Sequence, residues 1–201
     1  LDPTYATAHN NLGNVYNDLK RYDEAIAACQ QAIALDPTYA TAHYNLGNVY
    51  YALKQYDAAI VAYQQAIILD PNDAYPWIRL DEVYRTLNRN EEALAASQKA
   101  VALDPNNAVT QLSLAGVYRA LGLTKEYERQ AAVVQPLIAG EDEYSRACFA
   151  AICGNVDEAL RLLKIALEKQ QATLSWAQSD PDFDFIRDDP RFQALIDKQT
   201  E

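Results

Sequence analysis

The chain has 201 residues, of which 50% are hydrophobic and 22% charged, so it carries enough apolar side chain to build a core and global disorder is excluded. Its formal net charge of −11 is shared between the two halves and repels phosphate backbones and anionic lipid, which argues against nucleic acid and membrane-surface partners. No apolar run reaches the roughly 18 residues that a membrane-crossing helix needs, and no basic-then-apolar leader opens the chain, so a cytoplasmic protein is expected.

The first informative signal along the chain is a repeat. Leu-Asp-Pro stands at 1–3, 35–37, 69–71 and 103–105, a period of 34 residues, and residues 1–34 and 35–68 are near copies of one another. Each period carries two helical patterns. The first, Ala6–Leu19, puts Leu12, Val15, Tyr16 and Leu19 on one face. The second, Tyr22–Leu35, does the same with Ala25, Ile26, Cys29, Ala32 and Ile33. Each period is therefore a helical hairpin, closed by Asp-Pro because the residue before proline leaves the helical region and proline has no amide donor. Gly13 and Gly47 sit where the two helices must approach Ala25 and Ala59, with Ala32 and Ala66 at the next contact. Leu12, Leu46, Leu80 and Leu114, with Tyr16, Tyr50, Tyr84 and Tyr118, recur at the same period and are expected to fill the hairpin cores. A single hairpin cannot cover them, so neighbouring hairpins must stack.

After residue 107 the pattern loosens. Residues 108–139 keep Leu114, Ala115, Tyr118 and Gly122, but Tyr127 and Ala131 invert the small-then-large order, and Pro136 falls about three positions early, which predicts a distorted repeat. Residues 140–171 recover Gly154, Ala159 and Ala166 in phase. From Trp176 the period is lost. Phe183, Phe185, Ile186, Phe192, Leu195 and Ile196 are expected to cover the last hairpin, with Asp180, Asp182, Asp184, Asp188, Asp189, Asp197 and Glu201 keeping the outer side wet.

The Leu-Gly-x-x-Tyr of the first helix, the paired alanines of the second and the closing Asp-Pro, in register over 1–107, resemble the tetratricopeptide repeat (TPR) family. The resemblance implies an all-α fold, a right-handed superhelical solenoid of stacked antiparallel helix pairs. Five repeats are expected at about 6–39, 40–73, 74–107, 108–139 and 140–171, with a C-terminal cap over 172–201 like the closing segment of many such arrays. The chain opens without Met inside a repeat and without a comparable N-terminal cap, which reads as a piece of a longer array and predicts end-to-end self-association through the first helix.

No chemistry of a reactive site emerges. The six glycines form neither Gly-x-Gly-x-x-Gly nor a phosphate-cradling Gly-Lys-Ser/Thr, and Gly-x-Ser-x-Gly is absent. His9 and His43 occupy equivalent positions of successive repeats without a second ligand at helical spacing, so packing explains them and no metal or other cofactor is expected. Cys29, Cys148 and Cys153 cannot all pair and form no Cys-x-x-Cys, which favours a reducing compartment and buried thiols. The acidic pairs Asp23-Glu24, Glu91-Glu92 and Asp157-Glu158 open second helices, where they complement the dipole.

What remains is the groove that the resemblance assigns to the first helices. Its positions are Asn11 and Asn14, then Tyr44, Asn45, Asn48 and Tyr51, then Tyr75, Arg79 and Arg85. Asparagine amides donate to and accept from a peptide backbone whatever its side chains, and tyrosines supply contact area at low entropic cost. Compared with the carboxylate clamp of chaperone-binding relatives, Asn14, Asn45 and Arg79 match, but Asn10 and Tyr75 replace both lysines, which removes most of the attraction for a terminal carboxylate. The expectation is a non-enzymatic protein–protein interaction scaffold whose partner is an extended or helical segment of another protein. An accessory array of a larger glycosyltransferase- or kinase-like enzyme, recruiting its substrates, and a self-assembling array are the alternatives.

Overall fold

The computed structural model describes residues 3–197; Leu1 and Asp2 of the first Leu-Asp-Pro and Glu201 of the acidic end lie outside them. Every regular element among the described residues is helical. The chain divides into two compact units, the first ending at Val83 and the second starting at Tyr84.

The first unit holds α1 (Pro3–Asp18), α2 (Tyr22–Leu35), α3 (Ala40–Ala52), α4 (Tyr56–Leu69) and most of α5 (Tyr75–Thr86). α1 packs on α2, α2 on α3, and α3 on α4, so each 34-residue period is a hairpin laid against the next. Small side chains set these distances: Ala25, Ala32, Ala59 and Ala66 are all buried. A Cβ at Gly13 would stand 2.7 Å from Cys29 Sγ, and one at Gly47 only 2.5 Å from Tyr63 Cε1, so the glycine admits whatever fills the facing position of the second helix.

The turn inside each hairpin has a period of its own. Lys20, Lys54 and Asn88 take positive φ of 57°, 58° and 57°, and Gly122 follows at 69° one period on. Around Lys20, its amide bonds Asn17 O and the Arg21 amide reaches back to Tyr16 O, the pair of bonds that closes a helix through a left-handed residue. At the hairpin's other end Asp36 donates its amide to Ala32 O, and its carboxylate accepts from the Thr38 amide at 2.9 Å, turning the chain across Pro37.

One expectation about this unit changes. Leu12, Val15 and Leu19 are 41%, 52% and 60% exposed, whereas their equivalents Leu46 and Val49 are 9% and 1% exposed. α2 lies against α3, but no helix among the described residues lies against the same face of α1.

The second unit continues with α6 (Asn90–Leu103), α7 (Ala108–Ala120), α8 (Thr124–Ile138), α9 (Glu143–Ile152), α10 (Val156–Glu168), α11 (Leu174–Ser179), a 3₁₀ turn (Pro181–Ile186) and α12 (Pro190–Asp197). α7 pairs with α8 and α9 with α10, while the 3₁₀ turn packs on α9. α8 runs through Pro136 instead of stopping there. The bond that proline forgoes would have gone to Ala132, which is exposed, so water can satisfy that carbonyl. Phe183, Ile186 and Phe192 are buried as expected, with the Phe183 and Phe192 rings stacked at 5.6 Å and Trp176 on Tyr144 at 5.0 Å.

Two of the acidic residues expected on the wet side point inward. Asp182 accepts a bond from Arg85 Nη1 at 2.7 Å, and Asp180 accepts from the Tyr144 hydroxyl at 2.7 Å while also capping the Asp182 amide. The reason is local. The short turn begins at Pro181 and needs a capping carboxylate, and Arg85 supplies a buried counter-charge. Cys153 is likewise exposed instead of buried, because α9 stops at Ile152 and leaves it in the turn.

Candidate groove on the leading helices

Within the first unit the leading helices α1, α3 and α5 bring the sequence-derived residues together in two ways. Asn11, Asn14 and Tyr75 project into solvent, while Tyr44, Asn48, Tyr51 and Arg79 are half-buried. Asn45 is buried and donates through Nδ2 to Asn10 Oδ1 at 2.8 Å, so it joins one hairpin to the next instead of facing outward. Arg79 repeats that geometry: its Nε points at the Tyr44 hydroxyl, 3.5 Å away, across the same separation of 35 residues. A leading-helix position therefore meets, in the next repeat, the residue one place beyond its own equivalent.

Arg79 also pairs with Glu82 at 2.7 Å, and around this pair the groove turns aromatic. The Tyr44 and Tyr63 rings lie 5.9 Å apart and those of Tyr51 and Tyr56 5.8 Å apart. Tyr63 donates its hydroxyl to Asn48 Oδ1 at 2.9 Å. Burial pushes the Tyr63 phenol well up, so it remains a donor at all ordinary pH. Burial works against the charge on Arg79, but Glu82 and the Tyr44 and Tyr63 phenols more than offset this and hold the guanidinium protonated.

Arg85 has a buried partner of its own. It is buried in the second unit against Asp182, and a Cβ at Gly116 would lie 2.9 Å from its guanidinium. The sequence pattern does not reveal that Tyr63, a buried residue of a second helix, reaches Asn48 on the leading helix. The available signal was the change from Cys29 to Tyr63 at equivalent positions, opposite a glycine in both hairpins. In the first repeat Asn14 faces no such hydroxyl and is exposed; in the second Asn48 accepts one.

The second unit gathers Cys148, Asp180 and Asp182 with ligand atoms within 4.8 Å of one another. Their chemistry is already accounted for. Arg85 supplies positive charge to Asp182, Tyr144 donates to Asp180, and the Cys148 thiol, pushed well up by burial and by Asp180, stays protonated and points at Asp180 Oδ2 at 3.8 Å.

Against this geometry, three segments match repeat families: residues 13–54 match "TPR repeat", and residues 40–73 and 77–107 match "Tetratricopeptide repeat". Residues 13–107 are repeats of the TPR family. Among solved structures it resembles a thermophilic TPR protein of Thermus thermophilus, at 24% identity and a TM-score of 0.67, covering 87% of this chain and 98% of that one. It also resembles YrrB, a TPR protein with an unusual peptide-binding site, at 25% identity and 0.58, over 83% and 87% of the two chains. A third is the first TPR of Spaghetti (RPAP3) bound to an HSP90 peptide, at 25% identity and 0.57, over 61% and 97%. A search of curated protein sequences found no match. No helix among the described residues of this TPR chain is long and apolar enough to cross a membrane.

Proposed function

We propose that this TPR chain is a protein-interaction module whose leading helices in the first unit hold an extended peptide segment of a partner protein. The observation that carries the reading is the division of labour on that face. Asn45, Asn10 and Tyr63 fix the stack from within, and Asn11, Asn14 and Tyr75 are left exposed beside half-buried Tyr44, Asn48, Tyr51 and Arg79. The first set holds the geometry before a ligand arrives, so less ordering is lost on binding. The second offers amides for backbone hydrogen bonds and aromatic rings for contact area. Two similar structures, the Spaghetti TPR and YrrB, are described as binding peptides, which supports the same use here.

The clamp for a terminal carboxylate is not part of this proposal. Of its matching positions, Asn45 is committed to Asn10 and Arg79 to Glu82. The test begins with peptides selected from a random library on the intact chain and measures their affinity by fluorescence anisotropy. The double variant Asn14→Ala/Tyr75→Ala is expected to weaken binding about tenfold or more, the scale of truncating a contact residue. Undiminished affinity for every selected peptide would overturn the assignment.

A further inference from the structure

In the second unit the closing segment lands on groove positions. The turns after α7 and α9 hold Gly122 and Gly154, both at positive φ, which sets α9 in register with α7 at a spacing of 32 residues. In that register Tyr144 and Cys148 of α9 are the equivalents of Tyr44 and Asn48, while Arg85 of α5 and Arg119 of α7 follow Tyr51 at the 34-residue period. Residues 180–185 touch all four. The Tyr144 hydroxyl donates to Asp180 at 2.7 Å, and Cys148 Sγ lies 3.8 Å from the same carboxylate oxygen. Arg85 Nη1 donates to Asp182 at 2.7 Å, and the Arg119 guanidinium stands 4.7 Å above the Phe185 ring. Phe183 meets the Tyr144 ring edge-on at 5.8 Å. The face that corresponds to Tyr44, Asn48 and Tyr51 is thus filled by the chain itself.

The filling has the character of a docked peptide. α11 and the 3₁₀ turn have six residues each and α12 has eight, lengths at which a helix does not hold in water by itself, so their order comes from the surface beneath them. The hairpins under the segment are built from their own helices, α7 with α8 and α9 with α10. Acid and aromatic side chains alternate along Asp182, Phe183, Asp184 and Phe185, and the face answers with two guanidinium groups and a tyrosine. That complementarity defines what the face takes.

We propose that residues 180–186 are a ligand in cis: the closing segment occupies a peptide site of the second unit, and an acidic, aromatic segment of a partner protein enters that site only by displacing it. The proposal rests on the reading of leading helices as a peptide-binding face and adds what this second site takes and what guards it.

The test uses the whole chain with a protease recognition sequence inserted between Ala172 and Thr173, ahead of α11, and a fluorescent synthetic peptide spanning Thr173–Asp197 as the probe. Uncut, the chain is expected to take up the probe at least tenfold more weakly than after cleavage, because the tethered segment competes at an effective concentration of about millimolar. After cleavage the probe exchanges in and its anisotropy rises to saturation at one peptide per chain. Probes carrying Asp182→Asn or Phe183→Ala are expected to bind at least tenfold more weakly, and since these changes lie in the peptide they leave the folding of the chain untouched. An unrelated peptide that keeps the Asp-x-Asp-Phe-x-Phe spacing should compete with the probe. Equal uptake by cut and uncut chain, no uptake by the cut chain, or full affinity of the Asp182→Asn probe overturns the proposal; failure of the unrelated peptide to compete overturns the partner class. Asn14→Ala/Tyr75→Ala in the same chain is expected to leave probe uptake unchanged while it weakens library-selected peptides, so failure of this site and failure of the first-unit groove are separate results.

Discussion

The two units solve one problem, how to hold a stack of hairpins, with different chemistry. Up to Val83 the polar contacts that hold the hairpins are neutral or half-exposed: an amide pair between Asn10 and Asn45 and a guanidinium near Tyr44 from one repeat to the next, and a phenol on Asn48 within one hairpin. From Tyr84 on, the corresponding work falls to a buried ion pair, Arg85 with Asp182, and to stacked aromatic rings. Neutral contacts can recur every 34 residues because each costs little to bury. An ion pair taken out of water is costly to bury and costly to break from one side, so it fixes a single place. The difference teaches that the regular repeats leave polar side chains such as Asn11 and Asn14 exposed on their leading helices, whereas Asp180 and Asp182 are drawn inward and paired.

The strongest way to break this contrast is Asp182→Asn. With Arg85 buried and its partner's charge removed, thermal or urea unfolding of the second unit should show a loss of about 3 kcal/mol. Amide exchange should accelerate in α9 and around the 3₁₀ turn. A loss below about 0.5 kcal/mol would mean the ion pair is no more than a surface contact. Next comes Gly47→Ala, expected to cost about 1–3 kcal/mol because the new methyl overlaps the buried Tyr63 ring.

Asn45→Ala should cost about 1–2 kcal/mol in urea unfolding by stranding Asn10 Oδ1, and replacing both amides by leucine should cost less than the single change. A smaller effect concerns acid. Hydrogen bonds from Lys169 and Gln171 hold the pKa of the Glu143 carboxyl at about 2, below its ordinary value of 4.5. Its tie between α9 and the end of α10 is therefore complete above pH 4.5 and fades as pH falls toward 2. Glu143→Gln should flatten the pH dependence of stability in that window. The smallest change is Lys54→Gly, which relieves a left-handed residue with φ of 58° and should raise thermal stability by less than about 1 kcal/mol; the equivalent turn position two periods on, Gly122, already has this solution.

The helix pairs, their 34-residue spacing and the small-residue crossings were legible because local sequence dictates them. Leu-Asp-Pro closes one helix and starts the next wherever it stands, and Gly47 must be small whatever else happens. The fate of individual polar residues was not. Asn45 and Asn11 are equivalent in the repeat, yet one is buried and the other exposed, and only the presence of a preceding hairpin separates them. Arg85 read as a groove residue by period, but its partner Asp182 lies 97 residues away beyond the end of the regular pattern. The exposure of Leu12, Val15 and Leu19 has the same origin, since burial on a stacked helix depends on its neighbour. Cys153 was misplaced for a smaller reason, the end of α9 one residue before it.

Chemical-shift mapping of the intact chain with a library-selected peptide tests the central claim most directly. The account predicts perturbations concentrated on Asn11, Asn14, Tyr44, Asn48, Tyr51, Tyr75 and Arg79. Perturbations centred instead on the outer face of α4, where Val61 and Ile68 are exposed, or confined to residues beyond Val83, would contradict it.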